Sequence, residues 1–170
     1  GHSVVVLDNL TTGFREMACF GELVVGDLAD TALLESLFTQ HQFDGVMHFA
    51  ACSLVGESVN KPGKYYRNNV ANTLNLLDTM VRHKVNHFIF SSTAATFGEP
   101  DYVPIDEVHP QVPINPYGAS KLMVERILQD YFTAHGLNSV CLRYFNACGA
   151  DPEGNIGECH DPETHLIPII

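Results

Sequence analysis

Phe88-Ile-Phe-Ser-Ser-Thr93, followed after a proline-marked loop by Tyr117-Gly-Ala-Ser-Lys121, decides how this chain is read. The first stretch is an apolar run that ends in three small hydroxylated residues. The second opens a helical pattern that runs to His135 and is closed by Gly136. On a helix, positions i and i+4 share a face, so the Lys121 ammonium can sit beside the Tyr117 hydroxyl. A phenol ionises near pH ~10 and a neighbouring cation favours the phenolate, which makes Tyr117 a candidate base near neutral pH, suited to carbinol oxidation at a nicotinamide. The pair alone is thin, because the tyrosines and lysines present give roughly 0.14 such spacings by chance and an exposed Tyr with a solvated Lys reads the same way. The order of elements around it carries the weight.

Working outward, apolar runs of strand length alternate with helical patterns. Ser3 to Leu7 is a β-branched run closed by Asp8, and Leu23 to Val25 another, closed by Gly26-Asp27. Leu33, Leu34, Leu37 and Phe38 recur at helical spacing after Asp30, an N-cap candidate. Gly45 to Phe49 reads as a buried strand ending in Ala50-Ala51. Pro62 suits the first position of a helix whose apolar stripe is Tyr66, Val70, Leu74, Leu77 and Val81. Asn86 to Phe90 is a fourth strand, Tyr117 to His135 a helix and Ser139 to Leu142 a fifth strand. This alternation predicts an α/β fold, a doubly wound parallel sheet with helices on both faces. Ligands in such sheets sit at the carboxyl ends of the strands, where Asp8, Asp27, Ala50-Ala51, Ser91-Ser92-Thr93 and Tyr144-Phe145-Asn146 converge.

Composition narrows the class. Content of 45% hydrophobic and 17% charged residues is that of a globular domain rather than a disordered chain. The apolar runs are too short to cross a bilayer and no signal segment opens the chain, so a cytoplasmic protein is expected, with no membrane partner. A net charge of −11 speaks against nucleic acid and leaves any phosphate to be held by backbone amides and local cations. Five cysteines form no CxxC pair and are odd in number, which favours free thiols. Cys159-His160 with Asp161, Glu163 and His165 matches no standard zinc spacing, so no metal site is expected.

With these residues assembled, the chain resembles the extended short-chain dehydrogenase/reductase family, and within it the nucleotide-sugar 4-epimerases. The motifs are Val6-Leu-Asp-Asn-Leu10, Gly26-Asp-Leu28, His48-Phe-Ala-Ala51, Val55-Gly-Glu-Ser58, Lys61-Pro62 with Tyr65-Tyr66, Asn68-Asn-Val70, Phe88 to Thr93, Tyr117 to Lys121 and Arg143-Tyr-Phe-Asn146. The resemblance implies a Rossmann-like fold, bound NAD, a UDP-sugar substrate, a homodimeric parent and interconversion of UDP-glucose and UDP-galactose by transient oxidation at sugar C4. The alternatives are another nucleotide sugar, or an inactive fragment that at most binds nucleotide.

Roles follow residue by residue from that resemblance. Tyr117 would be the base, Lys121 would bind the nicotinamide ribose and keep Tyr117 acidic, and Thr93 would relay the proton at the sugar O4. Asp8, Asn9 and Gly13 would hold the adenosine ribose, and Asp27 and Leu28 would flank the adenine. Phe49, Ala50, Ala51, Ser53, Asn68, Ser91, Tyr144 and Phe145 would line the rest of the cofactor. Asn146, His165 and Leu166 would meet the sugar nucleotide, whereas Asn69, Asn72 and Asn75 read as surface or local helix residues. Ala94-Ala95 follow Thr93 where related 4,6-dehydratases carry an acidic pair, which favours epimerisation. Ala51, Ser53 and Phe97 depart from residues common in the family, namely Gly, Lys and Tyr.

The dinucleotide turn itself is not found. Asp8 has seven residues before it, whereas a ribose-binding acid usually lies about 20 residues past a glycine-rich turn. Residues 1–150 are therefore expected to be a partial dinucleotide-binding domain lacking its first strand-turn-helix unit, and 151–170 the start of a substrate-binding region that stops short. The strands Ser3 to Leu7 and Val46 to Phe49 should then be unpaired, about 9 to 10 Å apart, since one strand step is about 4.8 Å.

Overall fold

The apolar runs form parallel strands and the periodic segments form helices, as the alternation predicts. The computed structural model describes residues 1–160, 163 and 169–170. Val5–Asp8 (β1) lies parallel to Glu22–Val25 (β2), with Val5 opposite Glu22 and Asp8 opposite Val25. Val46–His48 (β3), His87–Thr93 (β4) and Asn138–Tyr144 (β5) make a second parallel sheet in the order β3-β4-β5. β1 and β3 therefore belong to different sheets and are not paired. The chain divides into two compact units, Gly1–Asp27 with Asn146–Ile170, and Leu28–Phe145.

In the larger unit, local chemistry sets the helix ends. Asp30 accepts from the Leu33 amide at 2.9 Å and starts α1 (Thr31–Gln40). Pro62 occupies the first turn of α3 (Pro62–Tyr65), which widens into a π-helical stretch at Tyr66–Ala71 and continues as α4 (Asn72–Arg82). Asn115 accepts from the Gly118 amide at 2.8 Å to start α5 (Pro116–His135), and Gly136 ends it in the left-handed region at φ 71°. A short helix over Val55–Asn60 (α2), with Gly56 inside it and no side-chain cap, was not foreseen.

The core joins Leu34, Leu37 and Phe38 of α1, Leu76, Leu77 and Met80 of α4, Phe88 and Phe90 of β4, and Val124 and Leu128 of α5. Two expectations need correction. Of the stripe predicted for the second helix, Leu77 is fully buried while Tyr66, Val70, Leu74 and Val81 are half-buried. The inward face instead carries Tyr65, Asn69, Thr73 and Met80, because Asn69 and Thr73 find buried hydrogen-bond partners. Among the described residues, helices also do not cover both faces of the three-stranded sheet. His48, Phe88 and Phe90 point into the helices, while Met47 and Val140 on the alternate face are 61% and 56% exposed.

Among the described residues no helix is long and apolar enough to cross a membrane. Cys19, Cys52, Cys141, Cys148 and Cys159 form no disulfide.

Candidate active site

Three side chains of α5 meet the end of β4. The Tyr117 phenol lies beside Thr93, near enough for the Thr93 side chain to favour its ionised form. Lys121, almost fully buried, donates from Nζ to the Ser91 carbonyl at 2.7 Å and lies 4.8 Å from the Phe90 ring centroid and 6.0 Å from that of Tyr117. Two devices bring helix and strand this close. Thr93 Oγ1 accepts from the Ala95 amide at 3.1 Å, starting a single 3₁₀ turn over Ala94–Thr96. Gly118 then faces that turn so closely that a Cβ on it would stand 2.4 Å from the Ala95 carbonyl oxygen.

The electrostatics differ from the expectation that Lys121 keeps Tyr117 acidic. Burial pushes the Tyr117 phenol up from its ordinary value, and the Thr93 bond offsets this only in part. Burial also brings Lys121 down to about 8, and its ammonium is engaged by Ser91 rather than by the tyrosine oxygen. The cation is in place beside the ring, yet burial keeps the phenol protonated at neutral pH.

Around this centre lie polar contacts that periodicity did not reveal. Asn69, buried in the π-helical stretch, satisfies its whole amide. Its Oδ1 accepts from the Cys52 and Asn68 amides at 2.9 and 3.0 Å, and its Nδ2 donates to the Cys52 carbonyl and Ser120 Oγ, both at 3.0 Å. The surface reading of Asn69 is thus corrected, and likewise that of Asn75, whose Nδ2 donates to the Leu28 carbonyl at 3.1 Å. The fully buried Tyr65 packs edge-on against the Tyr117 ring, centroids 6.5 Å apart, and its hydroxyl donates to the Leu54 carbonyl at 2.6 Å. Glu125, two turns beyond Tyr117, is buried among Ser92, Gln111 and Arg143. Its spacing of four from Lys121 was the one sequence signal for it.

His48 is buried between the Phe88 and Phe90 rings and bonds Thr73 Oγ1 at 2.9 Å. Because the Thr73 hydroxyl donates to the Asn69 carbonyl, His48 must donate from Nε2. Burial and the Lys121 charge push this imidazole down to about 3, so it is neutral.

Of the residues expected at the adenosine, Asp8, Asn9, Gly13 and Asp27 lie in the smaller unit and Leu28 opens the larger. Asp8 closes β1, its Oδ1 accepting from the Leu10 amide at 2.7 Å, and a Cβ on Gly13 would stand 3.1 Å from that carboxylate, so glycine keeps its face clear. Asn9 donates from Nδ2 to Asp27 at 2.7 Å. Phe49, Ala50, Ser53 and Phe145 are exposed, and Ala51, Asn68 and Ser91 are half-buried. Asn146 is exposed at the start of the segment following Phe145, and His165 and Leu166 lie outside the described residues. Glu158, His160 and Glu163 place their ligand-type atoms within 4.8 Å of one another near the surface, with His160 Nδ1 3.2 Å from Glu163 and 3.5 Å from Glu158.

Comparison with known proteins fits this geometry. Residues 1–169 match the model of the NAD dependent epimerase/dehydratase family. The chain belongs to that family. A UDP-glucose 4-epimerase of Halalkalibacterium halodurans is 53% identical over 170 residues, all of this chain and 51% of that protein. The crystal structure of UDP-glucose 4-epimerase from Brucella ovis in complex with NAD superposes with a TM-score of 0.96 at 51% identity, over 99% of this chain and 52% of that one. The Bifidobacterium longum UDP-glucose 4-epimerase in complex with NAD+ and UDP gives 0.89 at 40% identity, over 93% of this chain and 50% of that one. The chain thus has the family's Rossmann-like fold and spans about half the length of the curated relatives it matches.

Proposed function

We propose that the protein to which this chain belongs interconverts UDP-glucose and UDP-galactose with NAD held by residues 1–150, and that 151–170 open its sugar-binding region. The observation that carries this reading is the Thr93–Tyr117 hydroxyl pair above the buried Lys121, in a member of an NAD dependent epimerase/dehydratase family. The residues fit the cofactor chemically. Asp8 retains acceptor capacity beyond its bond to Leu10, which suits a ribose diol and disfavours a 2′-phosphate, and Lys121 is a donor set at the end of β4.

When bound, NAD accepts a hydride from sugar C4 and returns it to the other face. The chain's own residues manage the proton. Thr93 aligns the sugar O4 hydroxyl with the Tyr117 oxygen, and Tyr117 takes the O4 proton as base and gives it back as acid. Lys121 leaves the Ser91 carbonyl for the ribose and the phenol oxygen, and its charge then offsets the burial that otherwise keeps Tyr117 protonated. Tyr65 fixes the tyrosine ring, Asn146 orients the sugar, and the active protein is a homodimer.

The test is to incubate the longest product of the gene with UDP-galactose and to quantify UDP-glucose, alongside UDP-N-acetylhexosamines, UDP-pentoses and UDP-uronates. Inversion at C4 of the hexose fastest of the panel supports the reading. Faster inversion of another sugar replaces the substrate, and NAD binding without inversion of any sugar defeats the enzymatic reading.

A further inference from the structure

We propose that Glu125 and Arg143 are positioning residues, an ion pair of a buried carboxylate and a half-buried guanidinium that holds α5 at the depth where Tyr117 and Lys121 meet the end of β4; as a catalytic claim it rests on the epimerase reading above. Tyr117, Lys121 and Glu125 follow one another at intervals of four on α5 and so share a face. Three consecutive residues of β4 receive them. Thr93 meets the Tyr117 phenol, the Ser91 carbonyl accepts from Lys121, and Ser92 Oγ donates to Glu125 Oε1 at 2.5 Å.

Of the three rungs, the one at Glu125 is the most heavily tied. Arg143, on β5, donates to it from both Nε at 3.1 Å and Nη2 at 2.7 Å, a two-point grip that fixes orientation as well as distance. Gln111, from the loop that precedes α5, donates to Oε2 at 3.1 Å. The guanidinium carbon lies 5.2 Å from the Phe97 ring centroid, so the residue just after the 3₁₀ turn is held by the same arginine. One carboxylate, only 5% exposed, thereby joins β4, β5, α5 and the loop between them. Burial raises the Glu125 carboxyl, but the bonds from Arg143, Ser92 and Gln111 outweigh it and keep the group ionised.

A largely buried pair of this kind adds little stability over an apolar pair of equal volume, yet its two-point grip restricts the geometry. Here that geometry is inherited by the residues one and two turns earlier on the helix. Neither Glu125 nor Arg143 touches the reacting atoms, so the role is indirect.

The test uses the longest product of the gene. Glu125→Gln keeps the side-chain volume and loses the charge; the expected result is a kcat for UDP-galactose lowered at least about tenfold with KM within about twofold. The double variant Glu125→Met/Arg143→Met removes both charges together, and is expected to match wild-type resistance to urea while remaining at least about tenfold slow. A second readout needs no turnover. Titration of the Lys121 ε-amino group by NMR, without substrate, should move upward from its wild-type midpoint in both variants, because a loosened helix lets water reach it. Folded variants with wild-type kcat and an unmoved Lys121 titration overturn the proposal, as does a double variant that is both stable and fast. If the wild type shows no epimerisation, or Tyr117→Phe keeps its rate, the epimerase reading fails instead, and the Lys121 titration still decides whether the pair sets the helix.

Discussion

Gly118→Ala tests the site through a single methyl group. The added Cβ would lie 2.4 Å from the Ala95 carbonyl oxygen, 3.0 Å from its carbon and 3.1 Å from Pro113 Cβ. The first distance is at least about 1 Å short of ordinary contact. No flexible side chain stands there to yield, because the closest obstacle is backbone. If α5 withdraws, Tyr117, one residue before, moves with it. If the turn withdraws, Ala95 pulls on Thr93, whose Oγ1 holds the Ala95 amide at 3.1 Å. Either response separates the Thr93 and Tyr117 hydroxyls.

Overpacking of this size costs about 1–3 kcal/mol, and alanine recovers about 1 kcal/mol over glycine in a helix, so the net loss of stability should be about 0–2 kcal/mol. A displacement of about 1 Å in a catalytic group can lower turnover about 100-fold. The expected variant is therefore folded and slow. Initial rates of UDP-galactose conversion and urea unfolding are to be measured on the longest gene product, with Gly56→Ala as control, since a Cβ there meets nothing within 4 Å. Turnover within about threefold of wild type in a folded Gly118→Ala protein, with the Thr93–Tyr117 contact intact in its structure, would refute the reasoning.

Tyr117→Phe should keep the fold and lower turnover at least about a hundredfold, the low end for a positioned general base, and a Phe variant within a few-fold of wild type removes Tyr117 from that role. Lys121, brought by burial from 10.5 down to about 8, releases its proton in the folded chain before it does in the unfolded one. Stability should accordingly rise with pH between about 8 and 10.5, and urea unfolding at both ends of that window should lose the difference in Lys121→Met. His48, pushed from 6.5 down to about 3, is neutral when folded, so its contribution is present above 6.5 and is lost as pH falls toward 3. A His48→Leu chain should show a flatter acid limb, and an unchanged limb would mean that this imidazole is not the group that titrates.

Much of the fold could be read from the letters because its signals are local. Asp30, Pro62 and Gly136 mark helix ends by their own backbone or capping chemistry, and each does so in the structure. The Tyr117–Thr93 meeting was also legible, since a strand end and the following helix start must converge above a parallel sheet. Asn69 was not. Its partners, Cys52 and Ser120, stand 17 and 51 residues away, and a count of apolar positions cannot see a polar side chain made acceptable inside by distant backbone groups. The direction of the Tyr117 shift failed for a related reason. Spacing reveals that a cation is near, whereas burial, the largest influence on this phenol, depends on everything packed around the ring.

That balance gives the residues after Thr93 a physical meaning. Ala94 and Ala95 are half-buried in the turn that abuts the first turn of α5. A carboxylate at either position would be partly desolvated close to the phenol, and its charge would add to the burial that already holds Tyr117 protonated. With two methyl groups there instead, burial and Thr93 set the proton affinity of the resting phenol. On the epimerase reading proposed above, its ionisation then turns on whether the Lys121 ammonium, here on the Ser91 carbonyl, bonds the tyrosine oxygen instead.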